Sequence, residues 1–159
     1  MSGAIPAAAL ERFVRAQDPL MTQVRAELAS GRKRGHWMWF VFPQLRGLGS
    51  SPMAEHYAIA SIEEAIDYLR HPVLGARLAD CAATVNAVRD TPIGTIFPYP
   101  DDLKFHSCMT LFSRAARRAD APAYGEIFHA ALEKHFAGRP DSRTLELLGA
   151  GADWPAGAD

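Results

Sequence analysis

Asp101, Asp102 and Lys104 stand together just before a long segment with a helical apolar stripe. Two carboxylates and a cation at a helix start can be capping groups, or they can act as acid, base and phosphate-binding groups. Capping accounts for one of the aspartates. It leaves the other unexplained, and it leaves Lys104 at the end of the helix where the macrodipole disfavours a cation. The three residues are therefore candidate catalytic residues, with a surface ion pair as the alternative.

A second group of candidates lies around a strongly aromatic run. The six residues after His36 contain two tryptophans, two phenylalanines and a methionine, and Gln44 follows two residues later. Indole rings stack on flat heteroaromatic rings, so Trp37 or Trp39 and Tyr57 could wall a site for a nucleobase or a nucleotide-like ligand, with His36 and Gln44 as its polar groups. The alternative is that the run is the hydrophobic centre of the domain.

The loop that follows the aromatic run could hold an anion. Pro52 suits the first position of a helix and Ser51 suits its cap, which leaves backbone N–H groups pointing out of the helix start. Gly49 allows an anion to approach closely, so a phosphate could bind here. The alternative is an ordinary capped helix after a flexible turn, because the segment has no recognised phosphate-loop motif.

Neither cysteine chemistry nor a metal is expected. Cys81 and Cys108 lie in apolar helical stretches, where a thiol behaves as a small buried hydrophobe. His106 would lie about 200° around the helix from Cys108, so the two cannot act as base and nucleophile on one face. Glu126 and His129 have the spacing of half a di-iron site, but no second copy exists, and the sequence predicts no metal and no cofactor.

Composition limits the class of protein. The chain has 159 residues, of which 48% are hydrophobic and 22% charged, as in a globular protein. Its 17 basic and 18 acidic residues nearly cancel, so neither DNA nor a membrane surface is an expected partner. Without a secretory signal or a long apolar span, the expected compartment is the cytoplasm. Residues 1–150 should form one domain, and 151–159 should be a frayed tail with Trp154 as its only anchor.

Apolar residues recur with a period of 3.6 almost throughout, which predicts an all-α, single compact multi-helix domain. The aromatic run has no polar face and no strand to pair with, so we expect a short buried helix there. The expected elements are Leu10–Gln17, a helix restarted by Asp18 and Pro19 and closed by Gly31, one begun by a capping box of Ser61 and Glu64, Pro72–Val88, a turn from Thr91, one capped by Asp101 or Asp102 that reaches Arg118, Pro122–Phe136, and a last one capped by Asp141 or Ser142.

Several motifs together resemble a known family. They are residues 36–44, 47–49, 51–54, 57–59, 71–78 and 101–112, which read HWMWFVFPQ, GLG, SPMA, YAI, HPVLGARL and DDLKFHSCMTLF. The chain closely resembles the bacterial domain-of-unknown-function family 1810 from about Leu10 to Leu148. The resemblance implies an all-helical domain and no established activity. Some members carry a calpastatin label, but this chain has nothing of a long disordered protease inhibitor.

A fainter similarity is to the family that hydrolyses N-glycosidic bonds in ribosylated intermediates and ADP-ribosylated guanine. It rests on the order of an aromatic segment, Glu55-His56-Tyr57, a helix ending near Arg77, and then Asp102 and Lys104. In that family an aromatic residue and acidic groups hold the ribosyl moiety.

The leading functional hypothesis is a site for a small molecule of nucleotide or ribosyl type. If the protein is an enzyme, an aspartate would serve as general base or stabilise an oxocarbenium ion, and Lys104 would hold a phosphate. This requires the start of the helix at Asp101 to pack beside the segment from His36 to Gln44, so that both line one pocket. The alternative is a binding or protein-interaction module without chemistry.

Overall fold

The computed structural model describes residues 7–149, which form an all-α domain as predicted. Within this range the one extended pairing is an isolated parallel bridge between Leu45 and Ile59. A 3₁₀ turn over Asp18–Leu20 separates the first two helices. The helices are α1 Ala7–Gln17, α2 Met21–Ala29, α3 Met38–Val41, α4 Pro52–His56, α5 Ile62–Arg70, α6 Leu74–Ala87, α7 Ile93–Ile96, α8 Asp101–Arg118, α9 Pro122–Phe136 and α10 Ser142–Leu148.

Helix α8 is the centre of the domain. It packs against α9 and α5, and α9 packs in turn against α6. The predicted apolar stripe of α8 is fully buried, and Ser107, Thr110 and Leu111 between its members are buried as well, because the helix is covered on more than one side. The buried part of α8 includes Phe105, Cys108, Met109 and Phe112.

The aromatic run forms α3 and the turns on either side of it, which confirms a short buried helix. Phe42 lies edge-on to Phe97 and Phe105, with ring centroids 5.6 and 5.1 Å apart. Phe97 and Phe105 are themselves 5.0 Å apart. These rings join the aromatic run to the start of α8 through the core, and edge-to-face packing of this kind stabilises beyond the area it buries.

Several helix starts follow the predicted capping chemistry. The Ser51 side chain accepts a hydrogen bond from the N–H of the third residue of α4, and Asp141 does the same for α10. The capping box of α5 differs in one detail. Ser61 Oγ accepts from Glu64 N at 3.2 Å, but Glu64 Oε1 accepts from Ala60 N at 2.7 Å, one residue before the cap.

Two predicted helix caps were wrong. Asp101 and Asp102 are the first two residues of α8, after an N-cap at Pro100, and neither caps it. Asp18 does not cap α2 either; its carboxylate pairs with Arg77 Nη2 at 2.8 Å.

Helix α6 begins at Leu74, two residues after the expected start near Pro72. His71 Nδ1 accepts hydrogen bonds from Val73 N and Leu74 N, at 3.1 and 3.3 Å, and so satisfies two donors ahead of the helix.

Cys81 and Cys108 are free and buried, as predicted. Burial raises the pKa of Cys81 to about 11 and raises that of Cys108 as well. Among residues 7–149, no helix combines the length and apolar character needed to cross a membrane. The predicted tail at 151–159, with Trp154, lies outside the described residues.

Candidate functional site

The first turn of α8 is held by the loop that follows α2. Lys33 N donates to Ile96 O at 2.9 Å, which ties this loop to α7. Lys33 Nζ then reaches Asp101 Oδ2 at 2.8 Å, with only 8% of the lysine side chain exposed. Lys104 Nζ lies 3.5 Å from the other oxygen of Asp101. Asp101 is therefore a carboxylate between two cations, and Lys104, at the unfavourable end of the helix, has a local countercharge.

Lys104 and Ser107 connect α8 to the aromatic segment. Lys104 Nζ lies 5.2 Å from the ring centroid of Trp39, which is partly exposed. One turn further along α8, Ser107 Oγ donates to Gln44 Oε1 at 2.7 Å. The predicted contact between the two sequence-distant segments is thus confirmed. That they line one pocket stays a prediction.

Asp102 differs from its neighbour in having no cation paired with it among the residues that the structure describes. Its Oδ1 is buried and makes no hydrogen bond within the described part of the chain. A buried carboxylate oxygen normally has a partner, because its desolvation is otherwise uncompensated. Among the three predicted catalytic residues, Asp102 is the one with a buried polar atom that has no partner in the described part of the chain.

Other predicted site residues have structural contacts of their own. Trp37 is fully buried, and its Nε1 donates to Glu27 at 2.9 Å, so its ring belongs to the core. His36 is exposed. Tyr57 is half-buried, with its ring 5.3 Å from that of Phe40 and 5.8 Å from that of Phe13, on the side of the domain formed by α1.

Gly49 and Ser51 each have a structural role in the loop before α4. A Cβ on Gly49 would lie 2.6 Å from the Cβ of Ala54 and 3.3 Å from Gln44 Nε2, so the glycine lets the loop pack on α4 and beside Gln44. Ser51 Oγ accepts from Ala54 N at 3.1 Å and satisfies one donor of a helix only five residues long. The loop's contacts thus explain both residues without an anion.

Sequence reasoning missed Glu27, which organises the loop before the aromatic run. Its carboxylate accepts from the backbone N–H groups of Arg34 and Gly35 at 2.8 and 2.9 Å, from Gln23 Nε2 at 2.8 Å and from Trp37 at 2.9 Å. Burial alone would raise its pKa, but these four donors lower it to about 2. The one available signal was a carboxylate at the end of a helix, where the macrodipole disfavours it.

Comparison with known proteins agrees with this architecture. The family described as "Protein of unknown function (DUF1810)" matches residues 7–148. The chain belongs to this family. It is also similar to a solved structure, the crystal structure at 1.38 Å of the conserved hypothetical protein Rv1873 from Mycobacterium tuberculosis. The two chains are 54% identical with a TM-score of 0.83, over 88% of this chain and 96% of the other. No curated protein matches.

The similarity to the N-glycosidase family stays a prediction. In this DUF1810 protein the residues that could do chemistry are few. Asp101 already pairs with Lys33 and Lys104, at 2.8 and 3.5 Å, so both of its carboxylate oxygens are taken up by ion pairs. Asp102 could accept a proton or a ligand's hydrogen bond, and Trp39 and Lys104 could contact a flat ring and an anionic group.

Proposed function

We propose that this protein binds a small molecule of nucleotide or ribosyl type at the start of α8. The observation that carries the proposal is the contact of Lys104 Nζ with the Trp39 ring, 5.2 Å from its centroid. Asp102, in the same first turn of α8, adds a carboxylate oxygen with no partner in the described part of the chain. Trp39 supplies an aromatic surface, Lys104 a cation for a phosphate, and Asp102 an acceptor for ribose hydroxyls. Gln44, held by Ser107, lies next to this group.

Catalysis would be confined to Asp102. An N-glycosidic hydrolase needs a carboxylate that can activate water or stabilise an oxocarbenium ion. Asp101 is engaged by Lys33 at 2.8 Å, so it is better suited to position Lys104 than to act on a substrate. The catalytic assignment thus narrows from three residues to one, with Lys104 as a ligand-binding group.

Isothermal titration with AMP, ADP-ribose and ribose 5-phosphate tests binding. Binding of ADP-ribose or AMP should weaken by about tenfold or more in Lys104→Met and in Asp102→Asn, since each loses a charge-assisted contact. Asp80→Asn, an exposed aspartate on α6, is the matched control. Absence of saturable binding of all three compounds, or equal binding by the variants, would refute the proposal. Release of free base by the wild type but not by Asp102→Asn would extend it to catalysis.

A second candidate is a protein-interaction surface at the same corner. Two large apolar side chains are exposed there, Tyr99 by 79% and Leu103 by 52%. Solvent-exposed apolar groups beside polar ones are typical of contact surfaces. If this corner joins two copies of the chain, sedimentation should give a dimer for the wild type and a monomer for Leu103→Ser. A monomeric wild type would exclude self-association.

A further inference from the structure

A separate cleft of about 440 Å³ lies between α8 and α9, near the turn that joins them. Clefts of this size commonly hold small molecules. Its walls include Ala116 and Gly125, and a Cβ on Gly125 would meet the Cβ of Ala116 at 3.6 Å. Gly125 has no side chain and Ala116 only a methyl group, so neither fills the cleft that they line.

Two polar residues face each other one turn beyond these small residues. Ser113 precedes Ala116 by three positions on α8, and His129 follows Gly125 by four positions on α9. Because Ala116 and Gly125 are adjacent and the helices run in opposite directions, both steps move one turn the same way along the pair. Ser113 and His129 accordingly both line the cleft.

Neither of these residues satisfies its polar atom within the described part of the chain. Ser113 is only 1% exposed, and its Oγ is buried without a hydrogen-bond partner. Nδ1 of His129 is likewise buried and without one. Native proteins rarely leave such atoms unpaired, because each one lowers the stability of the fold.

The contacts of His129 indicate which kind of group it can bind. Its other ring nitrogen, Nε2, lies 3.7 Å from Glu133 Oε2. At that separation no hydrogen bond forms; when the neutral ring carries its proton on Nε2, toward the carboxylate, Nδ1 is an acceptor. To this form of the ring a ligand at Nδ1 donates a hydrogen bond, and Ser113 Oγ on the facing helix can accept or donate one.

The rim of the cleft is acidic on balance. Asp120 and Glu126 line it with two carboxylates, and Arg117 contributes one cation. All three residues are exposed, so their charges act on a ligand at the mouth of the cleft, where the charged group stays in contact with solvent. A positively charged group is favoured here over a negative one.

We propose that the α8–α9 cleft binds a small organic amine with an apolar body and a hydrogen-bond donor at the far end. The ammonium group lies at Asp120 and Glu126, the apolar body against Ala116 and Gly125, and the donor at His129 Nδ1. Pro122 and His129 mark the two ends of the cleft on α9 and are seven residues apart, about 10 Å along the helix. A single ring with a short alkylamine chain fits this length.

Tyramine has these three features and serves as the probe in a titration followed by ¹H–¹⁵N NMR of the full chain. Phenethylamine lacks the phenolic donor, and 3-(4-hydroxyphenyl)propionate carries a carboxylate in place of the ammonium. We expect saturable shifts at residues 113–129 with tyramine, binding weaker by roughly two- to tenfold with phenethylamine, and no binding of the carboxylate compound.

Two variants separate binding from folding. Ser113→Ala removes a hydroxyl that has no partner within the described chain, so stability should be unchanged or higher while tyramine binding weakens by roughly two- to tenfold. Gly125→Leu should fill the cleft and abolish binding. Its control is Gly94→Leu on α7, where a Cβ meets nothing within 4 Å.

Absence of saturable tyramine binding overturns the proposal, and so does equal binding of the carboxylate compound. It is also overturned if Ser113→Ala, folded as judged by its NMR spectrum, binds tyramine as the wild type does. If Gly125→Leu fails to fold, the Ser113→Ala and phenethylamine comparisons still decide the matter.

Discussion

The charged carboxylate of Glu27 organises the loop between α2 and α3. Four N–H groups donate to one carboxylate, two of them from the backbone of the loop at Arg34 and Gly35. Hydrogen bonds to a charged acceptor are stronger than neutral ones, so the loop depends on Glu27 being ionised. Trp37 and Lys33 lie in or beside this loop, and the carboxylate thus acts on both the core and the start of α8.

Replacing Glu27 tests this role. Glu27→Gln should lower the free energy of unfolding at pH 7 by about 1–3 kcal/mol, because the amide keeps an acceptor but loses the charge. The folded pKa of about 2 lies below the ordinary 4.5, so the wild-type contribution is complete above about pH 4.5 and is lost as pH falls towards 2. Urea unfolding at pH 7 and pH 3 should show the gap between the two proteins narrowing.

The exposed Glu146 on α10 provides the control, since Glu146→Gln should leave stability within about 0.5 kcal/mol at both pH values. A gap between the wild type and Glu27→Gln that stays constant from pH 7 to pH 3 would show that the charge of Glu27 is not what holds the loop.

Asp101 and Asp102 are adjacent and chemically identical, yet the structure separates their roles. Asp101 pairs with the mostly buried Lys33, and removing one member of such a pair leaves an uncompensated charge. Asp101→Asn should therefore lower the free energy of unfolding by about 2–3 kcal/mol, less than for a fully buried pair because Asp101 is 18% exposed. Asp102→Asn, whose Oδ1 has no partner in the described chain, should be neutral or stabilising. Denaturant unfolding of both variants decides the question, and equal losses would contradict it.

At the scale of elements, α6 and α8 each bury a thiol. Burial raises the pKa of Cys81 to about 11 and that of Cys108 too, so little thiolate is present at neutral pH. We expect a bulky maleimide to label neither residue within minutes in the native protein. Both residues should be labelled within minutes when the protein is unfolded in guanidinium chloride. Mass spectrometry of the labelled chain measures this. Rapid native labelling of either cysteine would show that its helix opens readily.

The same elements show what sequence can and cannot provide. Stripes and caps are local, so α5, α8, α9 and α10 were predictable to within a few residues. The wrong caps have a common cause. Asp18 and Asp101 are suitable caps by residue type, but their carboxylates bind Arg77 and Lys33, which are far away in sequence. A long-range ion pair leaves no periodic trace in the chain.

For the whole molecule, the contact between α8 and the aromatic segment was predictable because both ends carried polar groups that their own helices did not explain. The α8–α9 cleft was not predictable from the sequence. It depends on the register of two helices, which sets Ser113 opposite His129 and Ala116 opposite Gly125. Glu126 and His129 were noticed as a spacing, but their facing residues on α8 could not be assigned before the helices were packed.

The two tryptophans of the aromatic run have different expected roles, Trp37 in stability and Trp39 in ligand binding. Trp37 is fully buried and bonded to Glu27, whereas Trp39 is partly exposed under Lys104. Trp37→Ala should lower the free energy of unfolding by about 3–5 kcal/mol, as for a large aromatic side chain deleted from a core. Trp39→Ala should cost less than half as much, since part of its area already faces water, and it should abolish any binding of ADP-ribose at the start of α8. Urea unfolding and calorimetric titration of the same two proteins measure both effects. Equal destabilisation by the two substitutions would mean that Trp39 is a core residue after all, and would remove the aromatic wall from the proposed site.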